Sequence, residues 1–216
     1  MCVNYRPSRV QVVRELFSAR ADTLDDDMYR SEVWPGGAAP LIRQDSTGAR
    51  VAELATFGLI PPWAKERKHA RHCYNARSET AATKPSFRRA WHAGHFALVP
   101  MSRFFEPNYE SGAAVRWSIA RRDGADFAVG ALWSFWRDPV SGEGVPSFSL
   151  LTLNADAHPV LRRFHAPADE KRSLFLVPPS EWDTWLAATP ELARVMLTLP
   201  DADDLVGGGL NGHALS

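Results

Sequence analysis

Cys2 directly follows Met1. A side chain this small permits trimming of the initiator methionine, which would leave an α-amine and a thiol on adjacent carbons. Such an aminothiol reacts twice with an aldehyde. The amine forms a Schiff base, the thiol closes on the same carbon to give a thiazolidine, and one residue supplies both nucleophiles. Reference pKa values of about 8 for an α-amine and about 8.5 for a thiol leave both groups mostly protonated near neutrality, so neighbours must assist. Taken alone, a penultimate cysteine is equally an incidental residue of a frayed end.

Three further polar positions could assist. Asn75-Ala76-Arg77-Ser78-Glu79-Thr80 follows Tyr74; an asparagine here can fix an amine or carbonyl by two-sided hydrogen bonding, and Arg77 can grip a phosphate bidentately. The plainer role is a turn and cap for the helix after Ser78. Glu106 lies among Phe104, Phe105 and Pro107, an apolar setting that favours the protonated carboxyl and suits general acid–base work. His165 ends Val160-Leu161-Arg162-Arg163-Phe164 and could donate a proton near neutral pH; either residue could instead be structural. Trp63, Trp91, Trp117, Trp133 and Trp136 could stack on unpaired bases or simply fill the core. His69, His72 and Cys73, even with Cys2, match no standard zinc spacing, so no metal is expected. There is no Gly-x-Ser-x-Gly elbow, phosphate-binding loop or dinucleotide fingerprint, and no cofactor is expected.

The chain has 216 residues, 45% apolar, with 25 Lys plus Arg against 25 Asp plus Glu. That length suits one domain with a full core. Zero net charge means that any polyanion contact must come from a local patch. The patch is the stretch 65–89, where Lys65, Arg67, Lys68, Arg71, Arg77, Lys84, Arg88 and Arg89 are opposed only by Glu66 and Glu79, with Trp63 and Trp91 at its borders. It is either a phosphate-binding surface or a solvated helix face. No apolar run approaches the roughly 18 residues a membrane span needs, and the first residues lack a signal-peptide core, so a cytoplasmic protein with reduced thiols is expected.

The elements that must position these residues are short. Ser8 could cap a helix running to Arg20, with Val13, Leu16 and Phe17 on one face. Trp34-Pro35-Gly36-Gly37 is turn chemistry. Leu41 to Arg43 and Val51 to Phe57 flank a turn at Asp45 to Gly48, a hairpin pattern that delivers Gly58-Leu59-Ile60-Pro61-Pro62-Trp63. A helix from Ser78 is interrupted by Pro85. His95 to Pro100 resembles a buried strand, and Val115 to Ala120 with Phe127 to Leu132 around Asp123-Gly124 gives a second hairpin signal. Strands follow at Phe148 to Asn154 and Leu174 to Val177, then a capped helix at Ser180 to Ala187. Many short strands with a few helices predict an α+β fold on a strongly curved, mostly antiparallel, barrel-like sheet. The domain is expected over residues 1–190, with a mobile tail over 191–216.

Met1-Cys2, Gly58 to Trp63, Asn75 to Thr80, Leu98-Val99-Pro100 before Phe104-Phe105-Glu106, Leu132-Trp133, Thr152 near Asn154-Ala155, and His165 with Glu170-Lys171-Arg172 occur in one order. The series resembles the SRAP family, the SOS-response-associated peptidases or abasic-site processing proteins, from residue 1 to about Trp185. The resemblance implies a DNA-damage protein that crosslinks itself to abasic sites in single-stranded DNA, with Cys2 forming the thiazolidine and removing its own leading methionine. It assigns Asn75 to positioning, Glu106 to the active site, His165 to ring opening and Arg77 to phosphate contact. It implies no cofactor, no obligate protein partner, and nucleoid association when bound to DNA. The chain departs from the family pattern at Cys2-Val3-Asn4, where Cys-Gly-Arg is common, at Glu106-Pro107, at Phe96-Ala97 and after Pro190. An N-terminal cysteine amidohydrolase or protease, or a non-covalent single-strand binder, are the alternative functions.

Overall fold

The computed structural model describes residues 2–209. In chain order these form β1 (Asn4–Pro7), α1 (Val10–Glu15), β2 (Ala38–Gln44), β3 (Arg50–Phe57), β4 (Asn75–Arg77), α2 (Ser78–Ala81), α3 (Arg88–His92) and β5 (Phe96–Asn108). There follow β6 (Val115–Arg121), β7 (Phe127–Arg137), β8 (Gly144–Asn154), β9 (Arg172–Leu174), β10 (Leu176–Val177), α4 (Trp182–Leu186), α5 (Pro190–Met196) and β11 (Leu205–Gly209).

Strands β7, β8, β3, β2 and β5 pair in that order, and β5 pairs back onto β7, closing a five-stranded barrel. All of these pairings are antiparallel except β3 with β8. The fold is thus the α+β, barrel-like architecture the sequence predicts. Period-two patterning explains why its walls are apolar on both faces. On β5, Ala97, Val99 and Met101 enter the interior cluster with Tyr5, Phe57, Phe104 and Phe148, whereas Phe96 and Leu98 join an outer cluster with Phe17, Trp91, Phe175 and Trp185. The same alternation separates Val129 and Ala131 from Ala128 and Leu132 on β7. Trp185 closes the outer layer, its indole N–H donating to the Ala97 carbonyl at 2.9 Å. Truncating so large a buried ring costs about 3–5 kcal/mol.

Strand β5 spans 13 residues and serves two layers. Its first half, Phe96 to Met101, pairs with β7; its second half, Phe104 to Asn108, pairs with β6 on one edge, while Met101 to Phe105 pairs with β1 on the other. This overturns the expected hairpin across Asp123-Gly124. Both strands form and the chain does reverse there, but β6 and β7 each take a different half of β5 instead of each other. A turn residue pair fixes a reversal of direction; it does not fix the partner.

Two other expectations change. The helix expected from Ser8 to Arg20 is only α1, because Ser8 donates its N–H to Pro100 and Asp26 accepts from the Val10 N–H at 2.8 Å in the capping role. Ser18, at φ +49°, ends the turn, and Arg20 donates to the Arg50 carbonyl beside β3. Beyond Pro190 the described chain is not a loose tail. Thr189 caps α5, and β11 pairs antiparallel with β6 from Leu205↔Arg121 to Gly209↔Trp117. The small glycines of 207–209 lie flat along an otherwise open sheet edge. The remainder of the expected tail, 210–216, falls outside the described residues.

Gly58 links the barrel to the basic stretch. It has φ +112°, and a Cβ there would lie 2.0 Å from the Ala70 carbonyl oxygen. Its own N–H donates to Phe148, and Leu59 donates to Cys73, which seats residues 67–73 against the end of β3. Gly58→Ala is therefore expected to cost about 2–4 kcal/mol, or roughly 5–15 °C in Tm by calorimetry. An unchanged Tm would mean that this close approach is not required.

Candidate active site

Four residues that lie far apart in sequence meet at the open end of the sheet. Pairing of Asn4 with Phe105 and Tyr5 with Phe104 brings Cys2 alongside the end of β5, where Glu106 is the next residue. The Cys2 thiol is 1% exposed and donates to the Asn4 carbonyl at 3.2 Å. Asn75 enters from β4, which pairs in parallel with β8, and its Nδ2 donates to the Cys2 carbonyl at 2.7 Å. Its Oδ1 is buried and accepts no hydrogen bond among the described residues. One face of the amide thus holds the cysteine backbone while the other can receive an N–H or O–H.

Glu106 and His165 form the second pair. Their side chains are 4% and 7% exposed, and His165 Nε2 lies 3.2 Å from Glu106 Oε2. The imidazole is brought there by the return of the chain onto β5: the His165 N–H donates to the Pro107 carbonyl at 2.9 Å, and Phe164 bridges to Asn108. Tyr74 borders the same space. Burial, then the Cys2 and Glu106 charges, raise its hydroxyl pKa.

Electrostatics set the resting state of the thiol. Burial foremost, and then the negative charge of Glu106, push the Cys2 pKa well above that of a free thiol. Because the shift is upward, the neutral thiol prevails through and beyond physiological pH. A group in this state needs a proton acceptor at the moment it reacts.

The basic stretch divides into parts. Arg67, Lys68 and Arg71 line one wall of a groove of about 620 Å³, with Trp34, Glu32 and Thr56 opposite. Arg67 donates to the Thr56 hydroxyl at 3.3 Å, and Lys68 pairs with Glu66 at 2.5 Å. The groove abuts the nucleophile's strand, for Glu32 accepts from the Asn4 amide at 3.0 Å and Val33 pairs with Tyr5. Lys65 and Trp63 border a separate hollow with His69 and His72. Lys84 and Arg88 are exposed on the α2–α3 segment and line neither cavity, although the Trp63 indole N–H donates to the Pro85 carbonyl at 3.3 Å. Arg77 is exposed next to Asn75, but its guanidinium donates to Glu170 at 2.7 Å.

Of the five tryptophans weighed for stacking, Trp91, Trp117 and Trp136 are core, and Trp133 stacks on His95 with centroids 4.4 Å apart. Only Trp63, at 56% exposed, keeps a free face. Trp34, 52% exposed, stands in the groove and reads from sequence only as part of a turn. Its signal was available: a large aromatic inside a Pro-Gly-Gly turn has no strand face to bury it. Glu32, which joins Asn4, Arg6 and Arg116, carries no such signal, since Arg116 is 84 residues away. Among the described residues, no three His, Cys, Asp or Glu side chains are arranged to hold a metal, and no helix is long and apolar enough to cross a membrane.

Fold and site define a class: a barrel protein whose penultimate cysteine is buried against an asparagine and a Glu–His pair. The sequence profile of the SOS response associated peptidase (SRAP) family matches residues 1–206, and the chain belongs to that family. Abasic site processing protein YoaM of Bacillus subtilis is 27% identical over 167 residues, covering 76% of this chain and 70% of that protein. YoqW of the same organism is 27% identical over 168 residues, again 76% and 70%. A solved protein of Bordetella bronchiseptica superposes over 100% of both chains with a TM-score of 0.87 and 30% identity. Another from Bacteroides thetaiotaomicron, 20% identical, shares the fold with a TM-score of 0.79 over 96% of this chain and 91% of its own.

Iodoacetamide labelling checks the state of Cys2. At pH 8 the native chain should label at Cys2 at least about tenfold more slowly than the denatured chain, as judged by peptide mass. Equal rates would contradict a buried, protonated thiol.

Proposed function

We propose that this protein processes abasic sites in single-stranded DNA by attaching Cys2 covalently to the ring-opened sugar. The supporting observation is the convergence of Asn75, Glu106 and His165 on Cys2, with Asn75 bonded to the Cys2 carbonyl at 2.7 Å and His165 set 3.2 Å from Glu106. The curated relatives bear the name abasic site processing protein, which agrees with this reading.

In the proposed sequence, the Cys2 sulfur attacks the Met1 carbonyl carbon, its proton passes to the Cys2 nitrogen as the Met1–Cys2 amide bond breaks, and water then hydrolyses the Met1 thioester, which releases methionine and restores the thiol beside a free amine. His165 gives a proton to the ring oxygen and Glu106 takes the proton of the anomeric hydroxyl as the closed sugar opens to its aldehyde, and the pair exchanges that proton across their 3.2 Å contact. The amine adds to the aldehyde carbon and one water leaves, giving a Schiff base. The thiol then adds to the same carbon; its proton passes through Glu106 to the nitrogen, and the thiazolidine is complete. Toward the aldehyde the amine acts first, because the thiol closes the ring on the carbon that the Schiff base provides, and the nearby Glu106 carboxylate has the task of moving the thiol proton. Asn75 holds the cysteine carbonyl while its Oδ1 receives an N–H of the amine. Pre-placing both nucleophiles replaces two encounters with one.

The groove of Arg67, Lys68, Arg71 and Trp34 would carry the flanking strand, its cations on phosphates and its indole against a base, without reading sequence. Arg77 would join once it releases Glu170. Bound in this way, the protein would lie with the chromosome.

With Met1 removal verified by intact mass, incubation with abasic single-stranded DNA should give an adduct that survives denaturation and is absent in Cys2→Ser. Glu106→Gln and Asn75→Ala should slow its formation by roughly 10²–10⁴-fold. Binding without an adduct would favour the non-covalent alternative, and turnover of amide substrates the amidohydrolase. In a separate binding titration, Arg67→Glu with Arg71→Glu should lower the salt slope by ~0.7 for each phosphate that is no longer neutralised. Trp34→Ala should weaken binding by about 1–3 kcal/mol with the slope unchanged. Unaltered affinity in both variants would place the strand elsewhere.

A further inference from the structure

His165 is held in an uncommon backbone state. Its φ is +70°, in the left-handed region that non-glycine residues seldom occupy. Such a conformation persists only where surrounding contacts fix it. On its N-terminal side the fix is evident, since the His165 N–H donates to the carbonyl of Pro107, the residue after Glu106. On its C-terminal side the chain runs through Ala166, Pro167 and Ala168 outside any strand or helix, in a turn where the Asp169 N–H donates to the Ala166 carbonyl at 2.9 Å and nothing in that turn reaches the His165 carbonyl.

Lys171 supplies that second fix. Its Nζ donates to the carbonyl of Ala166 at 2.5 Å and reaches that of His165 at 3.5 Å. The lysine is itself anchored, with its N–H donating to Asp156 Oδ1 at 2.8 Å and its carbonyl accepting from Ala155 at 2.8 Å. The next residue, Arg172, has a side chain 2% exposed and locked onto Glu79, Glu170 and Thr152. The base of the lysine therefore cannot drift, and its ammonium is directed at two main-chain oxygens.

We infer that Lys171 is the positioning residue that holds the His165 imidazole against Glu106, by clamping the carbonyls of His165 and Ala166. This rests on the abasic-site reading for its consequence in catalysis, and on geometry alone for its consequence in structure. Lys171 touches neither Cys2 nor the sugar in this scheme; it acts through His165. Without the clamp the left-handed turn relaxes and the imidazole leaves Glu106.

The test is a double-mutant cycle read by the single-turnover rate of adduct formation, with Tm measured in parallel. Lys171→Met should slow the adduct by roughly 10- to 100-fold, the size of effect expected when a reacting group is misplaced by about an ångström. Lys171→Arg, which keeps a cationic donor, should recover most of the rate. In a His165→Ala background, Lys171→Met should change the rate no further, because the two residues act as one unit. A parental rate in Lys171→Met, or an equal loss with and without His165, overturns the inference. Should Lys171→Met fail to fold, Lys171→Gln takes its place in the same cycle. The imidazole NMR signals of His165 give a readout that needs no substrate; they should move in Lys171→Met and stay in place in Lys171→Arg. A parental chain that forms no adduct defeats the abasic-site reading, and the imidazole signals then decide the clamp by themselves.

Discussion

The main-chain pairing of β1 with the second half of β5 is the constraint on which the site depends. It sets Cys2 beside Glu106, and the same end of β5 receives Phe164 and His165 through the Asn108 bridge and the Pro107 carbonyl. Three of the four candidate residues are thus placed by one strand's backbone. A slip of one residue in the β1 register would carry Tyr5 out of the interior and reverse the faces of its neighbours. Tyr5 packs edge-on against Phe57 with centroids 5.3 Å apart, which gives that slip a large penalty. The site is accurate because the core that surrounds it tolerates a single register.

Asn75 arrives by a different route, and a buried charge network ties the two together. Arg172 donates to Glu79 on α2, to Glu170, and to the carbonyl and hydroxyl of Thr152 on β8. Only the guanidinium is buried, at 2% exposed against 48% for Glu79 and 34% for Glu170, so the arginine is the member that cannot be left without its partners. The network therefore fixes the short β4–α2 unit, which carries Asn75, relative to the segment that returns His165 to β5. Glu170 also accepts from Arg77 and Asn154. Its carboxyl, held below its ordinary pKa first by Arg172 and then by Asn154, remains an anion and keeps Arg77 occupied. Four separate surroundings replace what reads in the sequence as one basic block.

The members of the candidate site could be named from the sequence more readily than the strand pairings that bring them together. Cys2, Asn75, Glu106 and His165 could be singled out because each is a polar residue in an apolar or turn context, and because their motifs recur in a fixed order. The β2–β3 hairpin was legible too, since its turn residues and alternation agree locally and the observed register runs from Ala38↔Thr56 to Gln44↔Arg50. A barrel-like sheet was expected as well, but the particular closure was not legible. It rests on β5 meeting β7 and on β3 meeting β8 in parallel, contacts between distant segments that no local signal encodes. The distribution of Arg67, Arg77 and Arg88 was hidden for the same reason, because counting charge along 65–89 cannot register that Glu170 lies opposite Arg77. Lys171 illustrates the limit most sharply, for its partners are main-chain carbonyls and its role depends on a backbone angle.

A protonated, buried thiol looks ill suited to a nucleophile, yet on the proposed reading it suits this one. A thiolate at an exposed chain end would be consumed by any passing oxidant or electrophile, since reactivity follows ionisation and access. Here burial and Glu106 keep sulfur neutral, and in the proposed reaction with the sugar the amine would engage the aldehyde before the thiol does. Schiff-base formation then brings a carbon electrophile within reach of the thiol at the moment when Glu106 can accept the proton. The groups that suppress the thiol at rest are the groups that use it in the reaction. On that proposal, selectivity for an aldehyde-bearing sugar would follow from the ordering of steps, without any base-specific contact. This places the discriminating power of the site in electrostatics and leaves the groove the simpler task of holding a strand.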